Sequence, residues 1–324
     1  MQNASKRKIK KLPLFLVLAV GVFLLGYFIF KKVFVEKIVV QEDMTEKNYY
    51  STLLKTGGLP SDWGPGEVFG IEGQPEITGE SAILVDINSG KILYEKNSTK
   101  KMKIASLVKI MTALVALEHK NLDEEIIVTY RASDIGENTM ALSSGEVYTL
   151  EELLYGLVLN SGNDAAYAIA EGVGGSVETF VKWMNMKVEE LNMNDTEIFD
   201  PSGLNDETYS TAVDLVKLSR YVMQNDDFRR IAGTFSIELP YSEKHKSLYL
   251  ENQTNLLTTY PGVGGIKTGY TEEAGLCLVT YAKNEEVELI GVVLNAVNRK
   301  FDMIVMLDYG YSLFGIEPEH GYEY

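Results

Sequence analysis

The sequence predicts an α+β protein: one antiparallel sheet flanked by helices, built from both ends of a domain, with an all-α subdomain between. Three observations predict it. Apolar, strand-like segments occur early, at 81–97, and late, at 263–296. Between them, apolar residues recur at helical spacing. No internal repeat divides the 324-residue chain, which is long enough for one large domain or two small ones.

The elements follow in order. Residues 1–11 form a basic segment containing Lys6, Arg7, Lys8, Lys10 and Lys11. Residues 12–30 are an uncharged apolar run, able to just span a bilayer core. The basic flank predicts a cytoplasmic amino terminus. The bulky Tyr27-Phe28-Ile29-Phe30 offers no small-x-small cleavage site, which predicts an uncleaved transmembrane signal-anchor with the remainder exported. Residues 31–78 are rich in Gly and Pro and read as a linker. The main domain is expected at 79–318, followed by a tail at 319–324.

Within the domain, Ser81–Asn97 reads as a hairpin turning at Asn88-Ser89-Gly90. Helical patterns run from Ser106 to His119, Leu150 to Leu159, Asp164 to Glu171, Ser176 to Asn192 and Thr211 to Gln224. Thr211 suits a helix cap, with Asp214 as its capping-box acid. Strands are expected at Val263–Tyr270, Gly275–Ala282 and Val287–Ala296, the last two joined by a turn at 283–286. A final helix covers Arg299–Leu313.

The formal net charge is -16, which argues against nucleic acid as a partner, because phosphate binding needs a basic surface. The single cysteine, Cys277, lies in an apolar strand-like stretch and reads as a packed, unreactive thiol. His119, His245 and His320 lack metal-ligand spacing, so neither metal nor cofactor is expected. No Gly-x-Ser-x-Gly elbow is present.

Three short motifs carry chemistry. Ser106-Leu107-Val108-Lys109 opens an apolar helix, where positions i and i+3 share a face and the Lys109 amine can reach the Ser106 hydroxyl. Burial among Ile104, Leu107, Val108 and Ile110 would let that amine lose its proton near neutral pH and act as base. Ser161-Gly162-Asn163 falls in a helix break. A capping turn is the plain reading of that triplet alone. Beside the other motifs, Ser161 can relay a proton, and Asn163 can hold substrate backbone and Lys109. Lys267-Thr268-Gly269 ends an apolar strand, where a substrate can add as an extra strand with its carboxylate facing Lys267 and Thr268. Gly269 leaves room for close approach. The same patterns recur at Ser98–Lys101, Ser5–Lys8 and Lys55-Thr56-Gly57, in contexts that favour chance.

Together these residues resemble the serine D-Ala-D-Ala carboxypeptidases, the low-molecular-mass penicillin-binding proteins of peptidase family S11. The resemblance runs from about Ile77 to Phe314. It is carried by ELLYGLVLNSGNDAAYAIAE at 152–171, DPSGL at 200–204, STAVDLVKLSRY at 210–221 and YPGVGGIKTGYTEEAGLCLVTYA at 260–282. It implies a β-lactamase/DD-peptidase-like fold, Ser106 as acylated nucleophile, Lys109 as base and Ser161 and Asn163 as assistants. Lys267, Thr268 and Arg299 would lie at the substrate carboxylate, and the backbone N–H groups of Ser106 and Tyr270 would form the oxyanion hole. The substrate would be a peptidoglycan stem peptide ending in D-Ala-D-Ala, with β-lactams as covalent inhibitors, at the bacterial cell membrane. Tyr270 departs from relatives that have His there. Many relatives also carry a second, β-rich domain and a carboxy-terminal anchor, whereas here 55 residues follow Gly269, and the amino-terminal span is expected to replace that anchor.

Three alternatives share these motifs or this setting. A serine β-lactamase would need a glutamate in an E-x-x-L-N pattern; Glu189-Glu190-Leu191-Asn192 comes close, but the required position holds Val188. A non-catalytic wall-binding scaffold would need neither nucleophile nor base. A D,D-endopeptidase uses the same residues and is not separated by sequence.

Overall fold

The computed structural model describes residues 64–69, 73–254 and 256–322. The chain divides into Met1–Lys55 and Thr56–Tyr324. The first unit, with the apolar run 12–30, lies outside the described residues. Among the described residues, no helix is long and apolar enough to cross a membrane.

The frame is a five-stranded antiparallel sheet: β1 (Ser81–Asp86), β2 (Ile92–Lys96), β3 (Val263–Thr271), β4 (Gly275–Asn284) and β5 (Val287–Ala296). Its order is β2-β1-β5-β4-β3. The two ends of the domain meet where β1 pairs with β5, from Ser81↔Leu294 to Asp86↔Leu289. Every residue of β1 is buried, because the sheet is covered on both faces. Leu84, Leu289 and Val293 pack with Met303, Leu307 and Tyr311 of the closing helix α7 (Arg299–Ser312). By the pleat, Ile83, Val85, Ile290 and Val292 face the other way, toward the helical half. β4 and β5 join through a tight turn with Asn284 opposite Val287.

The longer helices between are α1 (Lys109–His119), α2 (Leu150–Val158), α3 (Asn163–Gly174), α4 (Val177–Glu190), α5 (Ala212–Val222) and α6 (Asp226–Ala232). Residues Lys109 to Ala116 of α1 are all buried, so this helix is enclosed rather than amphipathic. The expected helix at Ser106 starts differently: Ala105–Val108 form a 3-10 turn, and α1 proper begins at Lys109. Thr211 does cap α5, accepting from the Asp214 amide at 3.1 Å. The Asp214 carboxylate is used elsewhere, however, on the Asp195 amide, the Thr196 hydroxyl and Lys217. The reciprocal capping box is at Thr149 and Glu152, opening α2.

Short pairings complete the domain. They include Glu125–Ile127 with Val147–Thr149, and Ser236–Leu239 with Leu248–Glu251. Residues 64–69 run beside β2, where the Gly66 and Phe69 amides donate to the Gly90 and Ile92 carbonyls at 2.9 and 2.6 Å.

The entry to β1 is tied to α7 by one carboxylate. Asp302, fully buried, accepts from the Thr78 amide at 2.9 Å, the Thr78 hydroxyl at 2.7 Å and the Gly79 amide at 2.8 Å. Asp302→Ala is expected to lower stability by about 3 kcal/mol, since it orphans buried donors to a charged acceptor. A denaturant midpoint within experimental error of wild type would contradict this.

Candidate active site

The three motifs come from three places and meet at one cleft. Ser106 is half-buried in the 3-10 turn, while Lys109 is fully buried. In a 3-10 turn residues i and i+3 eclipse, which brings the Lys109 amine (Nζ) to 2.9 Å from the Ser106 hydroxyl oxygen (Oγ). The same amine lies 2.7 Å from the Asn163 side-chain oxygen (Oδ1) and 2.6 Å from the Ser202 carbonyl oxygen. Burial brings the Lys109 amine down to about 7, while the Asp200, Asp164 and Glu137 carboxylates pull the other way. A neutral amine has two N–H donors and one lone pair. Asn163 and Ser202 each accept one donor, and the lone pair is left facing the Ser106 O–H.

Two carboxylates fix this seat. Asp200 accepts from the Ser202, Gly203 and Asn205 amides at 2.7, 2.5 and 2.5 Å, folding the loop that offers the Ser202 carbonyl. Gly203 has φ +82, and a Cβ there would sit 2.0 Å from the Ala105 carbonyl oxygen; only glycine fits. Asp164 accepts from the Met140 and Leu142 amides at 2.8 and 2.9 Å. It thereby clamps the segment 136–142 against the start of α3. The Asn163 side-chain amide donates to the Gly136 carbonyl at 3.0 Å.

Ser161 is 1% exposed, has φ 57, and its hydroxyl has no hydrogen-bond partner. A buried hydroxyl without a partner in a left-handed turn is costly for a structural cap, and it suits a group waiting for a substrate. Ala105, immediately before Ser106, also has positive φ, at 47.

The third motif lies on the edge strand β3. Lys267 and Thr268 are buried, and the Lys267 amine donates to the Thr268 carbonyl at 2.9 Å. Burial, with the Lys109 and Arg299 cations nearby, holds the Lys267 amine well below the usual lysine range. Gly269 has a reason the sequence did not reveal. A Cβ there would lie 3.0 Å from the Ile104 carbonyl oxygen and 3.2 Å from the Ser106 amide nitrogen, so glycine lets the strand close on the Ser106 turn. Tyr270 follows, with an exposed side chain. Arg299 is brought to this motif, but its guanidinium is engaged, donating to the Gly269 and Cys277 carbonyls at 2.7 and 3.3 Å. It braces the β3–β4 pair and adds positive charge.

The decoys behave otherwise. Ser98 donates to Glu95, and Lys101 pairs with Asp195 at 3.3 Å. Ser5–Lys8 and Lys55-Thr56-Gly57 lie outside the described residues. Cys277 is buried in β4, its thiol pushed up to about 11 by burial. The histidines are occupied structurally: His119 stacks on Trp183, His245 on Tyr148, and His320 meets Asp308 at 2.9 Å. Val188 is buried near the end of α4, and Glu190 pairs with Lys187 at 2.6 Å. Asp200, Asp164, Ser202 and the turn at Ala105 were missed as site-building residues; the DPSGL and SGND strings contain three of them.

A serine seated on a buried lysine, beside a second lysine on a sheet edge, is the arrangement of a serine peptidase that uses an amine as its base. Comparison with known proteins is specific: the chain belongs to the D-alanyl-D-alanine carboxypeptidase family, peptidase family S11, whose signature matches residues 70–298. It is similar to the D-alanyl-D-alanine carboxypeptidase DacF of Bacillus subtilis, 36% identical over 248 residues, covering 74% of this chain and 64% of that protein. The chain thus spans just under two thirds of that relative's length. It is also similar to the D-alanyl-D-alanine carboxypeptidase DacB2 of Mycobacterium tuberculosis, 34% identical over 248 residues, covering 74% of this chain and 84% of that protein. Among solved structures, the Streptomyces K15 DD-transpeptidase superposes with a TM-score of 0.71 and 31% identity, covering 74% of this chain and 99% of that one.

The Lys109 seat sets a pH dependence. A base must be neutral, so the acylation rate of Ser106 is expected to rise with pH through about 7. Lys109→Ala is expected to lower that rate by roughly 10²–10⁴-fold, the range for loss of a positioned base. Stopped-flow acylation across pH 5–9 checks both; a flat profile in wild type would exclude Lys109 as the titrating base.

Proposed function

We propose that this protein is a serine D-Ala-D-Ala carboxypeptidase. It would remove the terminal D-alanine from peptidoglycan stem peptides in cell-wall synthesis and remodelling. The observation that carries this reading is the Lys109 amine, buried and shared among Ser106, Asn163 and the Ser202 carbonyl.

The geometry supports the following course of reaction. The substrate adds along the edge of β3, its terminal carboxylate at Lys267 and Thr268. Ser106 Oγ attacks the scissile carbonyl carbon as its proton passes to Lys109. The developing oxyanion is taken by the backbone N–H groups of Ser106 and Tyr270. Ser161 passes a proton to the departing amine, the C–N bond breaks, and D-alanine leaves. Water then attacks the ester, with Lys109 again as base, and releases Ser106 and the shortened peptide. A β-lactam presents a similar carbonyl and carboxylate, but its amine stays tethered after ring opening, which slows deacylation. No metal or cofactor enters these steps. A β-lactamase reading loses support because the glutamate it would use has no counterpart at Val188.

We further propose that residues 12–30 anchor the protein in the bacterial cell membrane as a single uncleaved span, with the enzyme outside. The basic flank and the missing cleavage site support this reading. Amino-terminal sequencing of the mature protein is expected to find residue 1 or 2; a chain beginning after residue 30 would refute the anchor and leave the enzyme reading untouched.

The enzyme itself is tested by penicillin exposure, intact-mass spectrometry and peptide mapping, beside an assay of released D-alanine. The adduct is expected on Ser106 and absent in Ser106→Ala. An adduct that persists in that variant would show a different nucleophile, and neither adduct nor release from wild type would favour a scaffold. Lys267→Ala is expected to weaken kcat/KM for free-acid substrates far more than for amidated ones, by about 1.5–3 kcal/mol for a charge-assisted contact. Equal losses would remove Lys267 from the carboxylate site.

A further inference from the structure

Thr112 lies one turn beyond Lys109 on α1, and positions i and i+3 of a helix share a face. It is fully buried, an unfavourable place for a hydroxyl unless it is paired. A helical threonine ordinarily bonds back to a carbonyl of its own helix. Here the hydroxyl leaves the helix and donates to the Pro201 carbonyl at 2.6 Å. The next carbonyl along the chain, that of Ser202, lies 2.6 Å from the Lys109 amine. Two side chains of one helix face thus take two successive carbonyls of one loop, 89 and 93 residues further along the chain.

These contacts fix two peptide planes. A peptide unit is planar, so its C=O and the following N–H turn together. The unit joining Pro201 to Ser202 is held by Thr112 at its carbonyl and by Asp200 at the Ser202 amide, 2.7 Å away. The unit joining Ser202 to Gly203 is held by Lys109 at its carbonyl and by Asp200 at the Gly203 amide. Among the described residues, neither carbonyl accepts from a backbone amide. Both Pro201 and Ser202 are buried, so water is no substitute. Without the Thr112 hydroxyl, the Pro201 carbonyl would be orphaned in the interior, and the loop would have to turn to satisfy it. The Ser202 carbonyl shares a Cα with that plane and would turn with it.

We propose that Thr112 is a positioning residue for the catalytic base: through the Pro201 carbonyl it keeps the Ser202 carbonyl on Lys109, and so keeps the lone pair of that amine on Ser106. This inference rests on the D,D-peptidase reading above.

The test follows acylation of Ser106 by penicillin from pH 5 to 9 in the full chain, comparing wild type with Thr112→Val, Thr112→Ala and Thr112→Ser. Rates are referred to the fraction of protein that penicillin labels, so that lost folding lowers the amplitude and not the rate. Thr112→Val is close to wild type in size and lacks only the donor. Its plateau rate is expected to fall roughly tenfold, the effect of one buried hydrogen bond. Its midpoint is expected to move to lower pH. A carbonyl stabilises an ammonium more than a neutral amine, so an amine that loses the Ser202 carbonyl gives up its proton more readily. The other groups that act with Lys109, namely Asp200, Asp164, Glu137 and Lys267, are untouched by the substitution. Thr112→Ser keeps the hydroxyl and is expected to restore both plateau and midpoint. A Thr112→Val profile with the wild-type midpoint overturns the positioning role and leaves the enzyme reading intact. So does failure of both Thr112→Val and Thr112→Ala to fold, because the hydroxyl would then belong to folding. A wild type that penicillin does not label overturns the peptidase reading and this inference with it.

Discussion

The site depends on one buried amine. Lys109 is enclosed by the first turn of a helix that is buried all round, and it finds two fixed acceptors, Asn163 and the Ser202 carbonyl. Burial disfavours the charged form, and it outweighs the opposing pull of Asp200, Asp164 and Glu137. Without those acceptors a buried amine would be costly in either state. With them the neutral form is satisfied and its lone pair has one direction left, toward Ser106. Much of the surrounding architecture can be understood as holding the acceptors still. Asp200 shapes the loop behind Ser202, and Asp164 clamps the loop beside Asn163.

Strain gathers where this holding is tightest. Ala105 and Ser161, both non-glycine residues, occupy the left-handed region, and Gly203 packs against the Ala105 carbonyl with no room for a Cβ. Each such position costs on the order of 1–3 kcal/mol and persists only when its surroundings over-determine it. The β3 edge supplies part of that constraint, because Gly269 brings the strand against Ile104 and Ser106. The Ser106 turn, the Lys109 seat and the β3 edge are thus mutually wedged, although Ser106 and Lys267 lie some 160 residues apart in sequence.

What was legible in the sequence was what local chemistry writes strongly. Strands β4 and β5 are largely apolar because both sheet faces are covered, β3 carries Val263 and Ile266 among glycines and the Lys267-Thr268-Gly269 motif, and the helices from α1 to α5 and α7 are long enough for their apolar residues to be read. The Ser106–Lys109 and Lys267–Thr268 pairs were readable because their residue types are demanding. Short elements set by partners were not: Ser236–Leu239 alternates over four residues alone, and α6 is seven residues long. Nor does local sequence write tertiary use. Asp214 reads as a capping acid yet reaches Asp195 and Thr196, and Arg299, beside the Lys267 motif, also braces the Gly269 and Cys277 carbonyls. Gly269 reads as space for a ligand, whereas the protein's own backbone fills that space.

The electrostatics of the cleft run against those of the chain. A protein of net charge -16 concentrates Lys109, Lys267 and Arg299 at one place. Lys267 is held below its ordinary range first by burial and then by the other two cations. Coulomb repulsion is mutual, so loss of the Lys109 proton favours a proton on Lys267. Burial draws both amines away from their ordinary charged state, and a charge on either one disfavours a charge on the other. An anion bound beside Lys267 would favour the charged form of that amine. A neutral group there would leave Lys267 without such a partner. The states of Lys109 and Lys267 are thus linked through one cluster of buried cations.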